Sequence, residues 1–267
     1  MLPVLETLLT LEGLMIPAVS GFRTSAVRPY FFIVAILSLA LGGCTTTMTE
    51  SHTGGESGQQ LNLKAQSSRV VLMPLDIELS ELTAAGLKEP KADWTESARA
   101  NVTKALESYL AKRNLQLRQY RRPGDTVSAN RDIQLEKLHA TVGGTILYHH
   151  YDQMNRLPTK GSKMDWTLGL AARDMGTQQQ AEFALFIFLR DSYATAGRKA
   201  AVVASSIISI IGTPRVSGGE RVGFASLVDL RNGAVVWFNV LYSDTGDMRE
   251  PEPAAEVIDV LMDGFPS

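Results

Sequence analysis

The sequence predicts an α/β domain, a mixed β-sheet with helices packed on it, closed at its C-terminal end by a β-hairpin and a helix. Three observations predict it. A short apolar run at 69–76 is followed by a helix-period stretch at 93–110. Ala181 to Leu189 is apolar on both faces, as a central strand should be. Two β-rich runs flank Asn232-Gly233, the strongest short hairpin signal. With 267 residues and 45% hydrophobic content, a core can form without disulfides or metals.

Ahead of that domain, Arg23 and Arg28 precede the apolar run Tyr30 to Leu41, and Gly42, Gly43 and Cys44 follow. Basic, apolar and small residues in that order are the three parts of a secretory signal peptide. The run falls short of the roughly 20 residues that a transmembrane helix needs. Leu41-Gly42-Gly43-Cys44 resembles the bacterial lipobox. The resemblance implies signal cleavage before Cys44 and a diacylglycerol thioether on it. The other reading is an uncleaved signal anchor with an incidental cysteine, but the only cysteine of the chain falls at the lipobox position. Residues 1–43 are therefore read as the signal peptide; Met15 offers a second start that would leave 1–14 upstream. Thr45 follows the cysteine, and by the same resemblance the absence of Asp there implies the outer membrane, with the domain facing the periplasm.

Residues 45–68 are rich in Thr, Ser, Gly and Gln with almost no large apolar side chains. Such a stretch cannot bury enough surface to order itself, so 44–68 reads as a lipidated flexible tether spanning roughly 25–30 Å. The α/β domain is then 69–267.

Arg69 to Asp76 reads as a buried first strand, and Ile77 to Ala92, with Glu78, Glu81, Gly86 and Pro90, as a mobile acidic loop. Asp93 is placed to cap a helix with Glu96 three residues on, and Trp94, Ala98, Val102, Ala105, Leu106, Tyr109 and Leu110 form its apolar face. Leu115 to Tyr120 alternates as a strand, completing a βαβ unit. A second helix is expected over 132–151 with Leu135, Leu138, Val142 and Ile146 on one stripe, interrupted by Gly143-Gly144. Asp165 is expected to cap a third helix, Trp166 to Met175. After the hairpin, Pro253 to Phe265 reads as a closing helix whose apolar face is Ala254, Val257, Ile258 and Leu261.

The net charge is −2, and removal of the first 43 residues leaves 24 bases against 26 acids. A near-neutral protein lacks the field that draws nucleic acid, so no nucleic-acid partner is expected.

The order of elements, with Val228-Asp229-Leu230-Arg231-Asn232-Gly233-Ala234-Val235-Val236-Trp237 in the last hairpin, resembles the group of the curli-secretion lipoprotein, the penicillin-binding-protein activator and the TolB N-terminal domain. The resemblance spans residues 69–265 in element order and only the hairpin in residues. It implies non-enzymatic roles beside another envelope component.

Candidate chemistry is sparse. His149-His150 with Asp152 is a histidine cluster, but adjacent helix positions point about 100° apart and H-x-x-x-H spacing is absent, so no metal is expected. Asp191-Ser192-Tyr193 follows the presumed central strand, where α/β proteins place ligands, and with His150 offers an Asp-His-Ser set for a hydrolase. Asp76, Glu78 and Glu81 read as paired carboxylates or, more cheaply, as an acidic contact loop. No Walker or dinucleotide motif occurs, and no cofactor is expected. The run 200–211, flanked by Arg198, Lys199 and Arg215, reads either as core or as a contact with membrane or partner. The expected function is a non-catalytic binding or scaffolding role toward an envelope protein, from a membrane-held position through lipid on Cys44. The contact surface is expected around Glu78, Glu81, Asp191, Ser192 and Tyr193. An envelope hydrolase using Asp191, Ser192 and His150 is the alternative.

Overall fold

The computed structural model describes residues 48–53, 63, 68–161, 163–197, 221–243 and 246–266, all within a compact unit of residues 45–267. The expectations for the signal segment, for Cys44 and for 200–211 lie outside the described residues. The strands are β1 (Met48–Thr53), β2 (Val70–Leu72), β3 (Asp76–Leu82), β4 (Lys88–Pro90), β5 (Arg118–Gln119), β6 (Phe183–Ala194), β7 (Arg221–Asp229) and β8 (Val235–Ser243). The helices are α1 (Ala92–Lys112), α2 (Thr126–Ile146), α3 (Ala171–Gln179) and α4 (Pro251–Leu261).

The described strands form one mixed sheet in the order β1-β8-β7-β6-β2-β5. β3 also runs parallel to β6, beyond the end of β2, and pairs outward with β4. β6 is thus the central strand, parallel to β2 and β3 on one side and antiparallel to β7 on the other. It is buried on both faces, as its continuous apolar sequence requires. Ile187, Leu189, Ala225, Leu227 and Trp237 meet α1 and α4 on one face. Phe186, Phe224, Val228 and Phe238 meet α2 and α3 on the other. The result is a three-layer α/β/α domain with its C-terminal strands and closing helix as expected.

The hairpin turns where Asn232-Gly233 stands, with Gly233 at φ 77°. A Cβ there would also meet the backbone of Gly169, so glycine serves both the turn and a close approach. The closing helix buries Ala254, Val257, Ile258 and Leu261. Asn239, inside β8, donates its amide to the carbonyls of Val260 (3.0 Å) and Leu261 (2.9 Å), satisfying the orphan oxygens at the end of α4.

Several expectations are corrected. Ile77 to Ala92 is not a loop: β3 and β4 form a hairpin there, because Asp-Ile-Glu-Leu opens with the period of two that buries Ile77 and Leu79. α1 begins at Ala92 with Lys91 in the capping position and no side-chain cap, so Asp93 is a first-turn residue instead. The segment from Trp166 to Leu168 is extended: its backbone bonds the β7–β8 turn through Val235 N–H to Trp166 O (2.9 Å) and Leu168 N–H to Gly233 O (2.8 Å), so Asp165 caps nothing and pairs with Lys160. The stretch read as a flexible tether carries β1, paired antiparallel to β8 from Met48↔Tyr242 to Thr53↔Trp237. An edge strand is held by backbone hydrogen bonds, so a mostly polar run can still order on a free sheet edge. Leu63 of the same stretch is buried in the core beside α1 and α4.

α2 starts earlier than expected, at Thr126, where the Asp125 carboxylate accepts from Ser128 N–H at 2.8 Å. It continues through Gly143-Gly144 into a π-turn at Leu147–Tyr151. Its inward stripe is Asp132, Leu135, His139, Gly143 and Ile146, while Leu138 is 40% exposed. Gly143 lies on the Phe224 ring, which stacks between Phe188 and Phe238 at 4.6 and 5.4 Å. A Cβ on Gly143 would fall 2.1 Å from a ring carbon, whereas one on Gly144 would meet nothing within 4 Å.

Gly143→Ala should therefore lower stability by about 1–3 kcal/mol through overpacking, and Gly144→Ala should leave it unchanged or raise it by up to about 1 kcal/mol. Paired urea melts check both; equal effects at the two positions would contradict this packing.

Candidate functional site

The densest group of buried polar side chains lies where β6 ends and β7 begins. Antiparallel register sets Asp191 directly opposite Arg221. Arg221 donates from Nε (2.8 Å) and from a terminal nitrogen (2.7 Å) to Asp191 Oδ2, and both side chains are only 4% exposed. Tyr193 Oη donates to the same oxygen at 2.6 Å, and Ser192 N–H donates to Oδ1 at 2.8 Å. Tyr193 Oη in turn accepts from Met248 N–H at 2.8 Å, which ties the segment before α4 to the sheet. Around this centre the Arg249 guanidinium lies over the rings of Trp94 (4.2 Å) and Tyr193 (4.5 Å) and is held to Asp247 by a bidentate pair.

Burial pushes the Asp191 carboxyl up, and Arg221 and Tyr193 only partly offset it. Burial pulls the Arg221 guanidinium down, but the facing Asp191 and Tyr193 oxygens more than reverse that. Tyr193 is pushed up by burial and then by Asp191. Both Asp191 oxygens accept hydrogen bonds from the protein, Oδ2 from Arg221 and Tyr193 and Oδ1 from the Ser192 backbone. The arrangement is a clasp joining β6, β7 and the start of α4.

The structure does not assemble the residues singled out for hydrolase chemistry. Neighbours on a strand project to opposite faces. Asp191 points with Leu189 and Ile187 toward α1 and α4, and Ser192 lies on the α2 side with Phe188 and Phe186. One set containing both side chains cannot form. The two lie within the last four residues of β6, which runs on to Ala194, and not in a loop after it. With exposures of 6% and 3%, Asp191 and Ser192 are not a contact surface, and Tyr193 is half-buried. His150 is buried in the π-turn, its ring edge-on to Tyr151. His149 Nδ1 lies 2.7 Å from Asn155 O, and Asp152 accepts from Met154 N–H and the Asn155 amide. Asp152 thereby caps a short 3-10 turn. Among the described residues no three His, Cys, Asp or Glu side chains come together to hold a metal.

Of the acidic residues expected on a loop, Glu78 is exposed on β3, Glu81 pairs with Lys91 at 2.7 Å, and Asp76 pairs with Arg190 at 2.7 Å. At the other end of the sheet, a cleft of about 340 Å³ is bordered by Arg69, Arg173, Glu182 and Arg231. Arg69 is committed to Glu182, Arg231 to Asp229, and Arg173 Nε donates to Arg231 O. Arg69 holds the Glu182 carboxyl below its ordinary range.

Arg221 and His139 are among the buried polar residues that escape the sequence reading. Arg221 has no signal, because the residues between it and Asp191 conceal the pairing. His139 sits on the inward stripe of α2, stacked on Phe186 at 4.4 Å, with Nε2 2.6 Å from Ser226 Oγ. Burial pulls its pKa down to about 3, so it is a neutral core histidine.

No protein-family model matches the chain and no curated protein matches it. Among solved structures it is similar to the PelC dodecamer from Paraburkholderia phytofirmans, with 12% identity, 81% of this chain and 97% of that chain covered, and a TM-score of 0.30. A point variant of that dodecamer gives 12% identity, 81% and 98% coverage, and a TM-score of 0.30. A score that low carries no function from one chain to the other.

Arg221→Met should destabilise the fold by about 3–5 kcal/mol by stranding a buried carboxylate, and adding Asp191→Leu should recover much of that loss. Urea unfolding of the two variants decides it; a double variant as weak as the single would refute the clasp. His139 yields a pH dependence. The unfolded chain takes up a proton near pH 6.5 and the folded chain only near 3, so its contribution is lost as pH falls across that window, at about 1.4 kcal/mol per unit. The wild-type slope between pH 7 and 5 should exceed that of a His139→Phe, Ser226→Ala double variant.

Proposed function

We propose that the chain is a lipid-anchored envelope protein, fixed to the outer membrane through Cys44, with a non-catalytic role in binding or scaffolding another envelope component. The observation that carries the non-catalytic part is the clasp. The carboxylate best placed for chemistry, Asp191, is buried and bound by Arg221, Tyr193 and the Ser192 backbone. The lipobox Leu41-Gly42-Gly43-Cys44 carries the anchor, and the described helices include none long and apolar enough to cross a membrane. The surface offered to a partner is the outer part of the β3–β4 hairpin, Glu78 and the whole of β4. The placement of Asp191 and Ser192 on opposite faces of β6 favours this reading over a hydrolase using Asp191, Ser192 and His150.

Cys44→Ser should move the protein from the membrane fraction to the soluble one, and intact-mass measurement of the native protein should show an acylated N-terminus at Cys44. Crosslinking in intact cells at several arm lengths should recover an envelope protein; recovery of none would reject the scaffolding role.

A further inference from the structure

The cleft of about 340 Å³ opens where β2 and β6 begin and the β7–β8 turn stands, and Arg69, Arg173 and Arg231 line it. Separate parts of the chain bring these arginines together. Arg69 and Glu182 directly precede the parallel strands β2 and β6, and Glu182 N–H donates to Arg69 O at 2.9 Å. Arg231 follows β7 in the turn. Arg173 comes from α3, which approaches closely because Gly176 has no side chain: a Cβ there would fall 2.9 Å from Leu230 Cβ. Arg173 Nε then donates to Arg231 O at 3.1 Å, which fixes its guanidinium beside the turn.

The carboxylates beside them orient the arginines without consuming them. Arg69 gives Glu182 its Nε (3.1 Å) and one terminal nitrogen (2.5 Å). Arg231 gives Asp229 its Nε (2.9 Å) and one terminal nitrogen (2.6 Å). Each pair uses the side edge of the guanidinium and leaves its other terminal nitrogen. Arg173 keeps both of its own. Among the described residues no acceptor takes these remaining nitrogens. Asp174, next to Arg173 in the chain, is paired with Arg131 of α2. Three guanidiniums against Glu182 and Asp229 leave one positive charge in excess. The negative C-terminal end of α3 also borders the cleft, but its Gly176 and Thr177 carbonyls accept from Ala181 and Gln180 N–H. A helix end capped in this way weighs less than a charge-assisted hydrogen bond. Ala181 and Leu230 give the cleft a buried apolar floor, which strengthens polar contacts made above it.

We propose that this cleft binds the phosphate group of a small phosphate ester, with the two terminal nitrogens of Arg173 as the principal donors and Arg69 and Arg231 completing the site. A guanidinium edge matches two phosphate oxygens, and a tetrahedral anion has a further oxygen for donors on the other side, where a carboxylate has none. The volume lies at the small end of the range for ligand pockets, which leaves room over Ala181 and Leu230 for the body of a small ester. The site goes beyond the scaffolding role and does not depend on the lipid anchor.

Isothermal titration of the full chain in a phosphate-free detergent and a chloride-free buffer tests it, with inorganic phosphate, glycerol phosphate and acetate as probes. Inorganic phosphate should bind saturably with a Kd of about 1 mM or tighter, and glycerol phosphate at least as well. Acetate should bind more weakly. Arg173→Gln should weaken phosphate binding by at least about tenfold, the loss expected for hydrogen bonds to a charged group. Arg173→Lys keeps the charge without the fork, so it should restore only part of that loss. Lys104→Gln removes one exposed positive charge from α1 on the other face of the sheet and should leave the affinity unchanged. Thermal melts confirm that each variant is folded, and Arg173 and Lys104 are both exposed side chains whose replacement the fold should tolerate. Absence of saturable phosphate binding, wild-type affinity in Arg173→Gln, or an equal loss in Lys104→Gln overturns the site. Acetate binding as tightly as phosphate overturns its assignment to a phosphate ester.

Discussion

β6 is enclosed on both faces and flanked by strands on both edges, so most side chains along it must find their partners inside the protein. For Phe183 to Leu189 that is a packing demand, met by α1 and α4 on one face and α2 on the other. At Asp191 the same enclosure becomes electrostatic. A carboxylate so placed stays ionised only against an equally buried cation, and the register with β7 supplies Arg221 directly opposite. Tyr193 then extends the arrangement to the backbone before α4, so one acid fixes how the closing helix joins the sheet.

The α2 face shows the complementary solution. His139 and Gly143 occupy positions where a purely apolar stripe would have carried larger side chains. The room goes instead to a stack of aromatic rings, Phe188, Phe224 and Phe238, with His139 tilted against Phe224 at 5.5 Å. Here the glycine pair does not break the helix. Tertiary packing outweighs the modest backbone penalty of glycine in a helix interior.

Local patterns made much of this fold legible. The β7–β8 hairpin, the four inward residues of α4 and the inward face of α1 follow from turn chemistry and helical period, which act over a few residues. What escaped was set by distant partners. β1 depends on the free edge of β8 and leaves no mark in its own polar sequence. β3 was masked by its three acids, although Ile77 and Leu79 alternate correctly. Trp166 to Leu168 has helix-compatible residues, but the β7–β8 turn recruits its backbone. On α2, Leu135 and Ile146 are inward as expected, but between them the inward positions are His139 and Gly143, which carry no apolar signal, in place of Leu138 and Val142. At the site, Asp191, Ser192 and His150 were visible as residue types. Strand alternation assigns the first two to different faces, and it applies to them because β6 continues past Leu189 to Ala194. Arg221, the partner that decides the fate of Asp191, was invisible without the β6–β7 register.

The ladder between β1 and β8 also has a mechanical side. Its hydrogen bonds lie across the direction in which the chain enters at Met48. Tension transmitted along that strand would shear the whole ladder at once, with the bonds sharing the load, where tension across it would unzip them one after another. A short polar segment can in this way act as a strap whose strength comes from geometry and owes little to which side chains it bears.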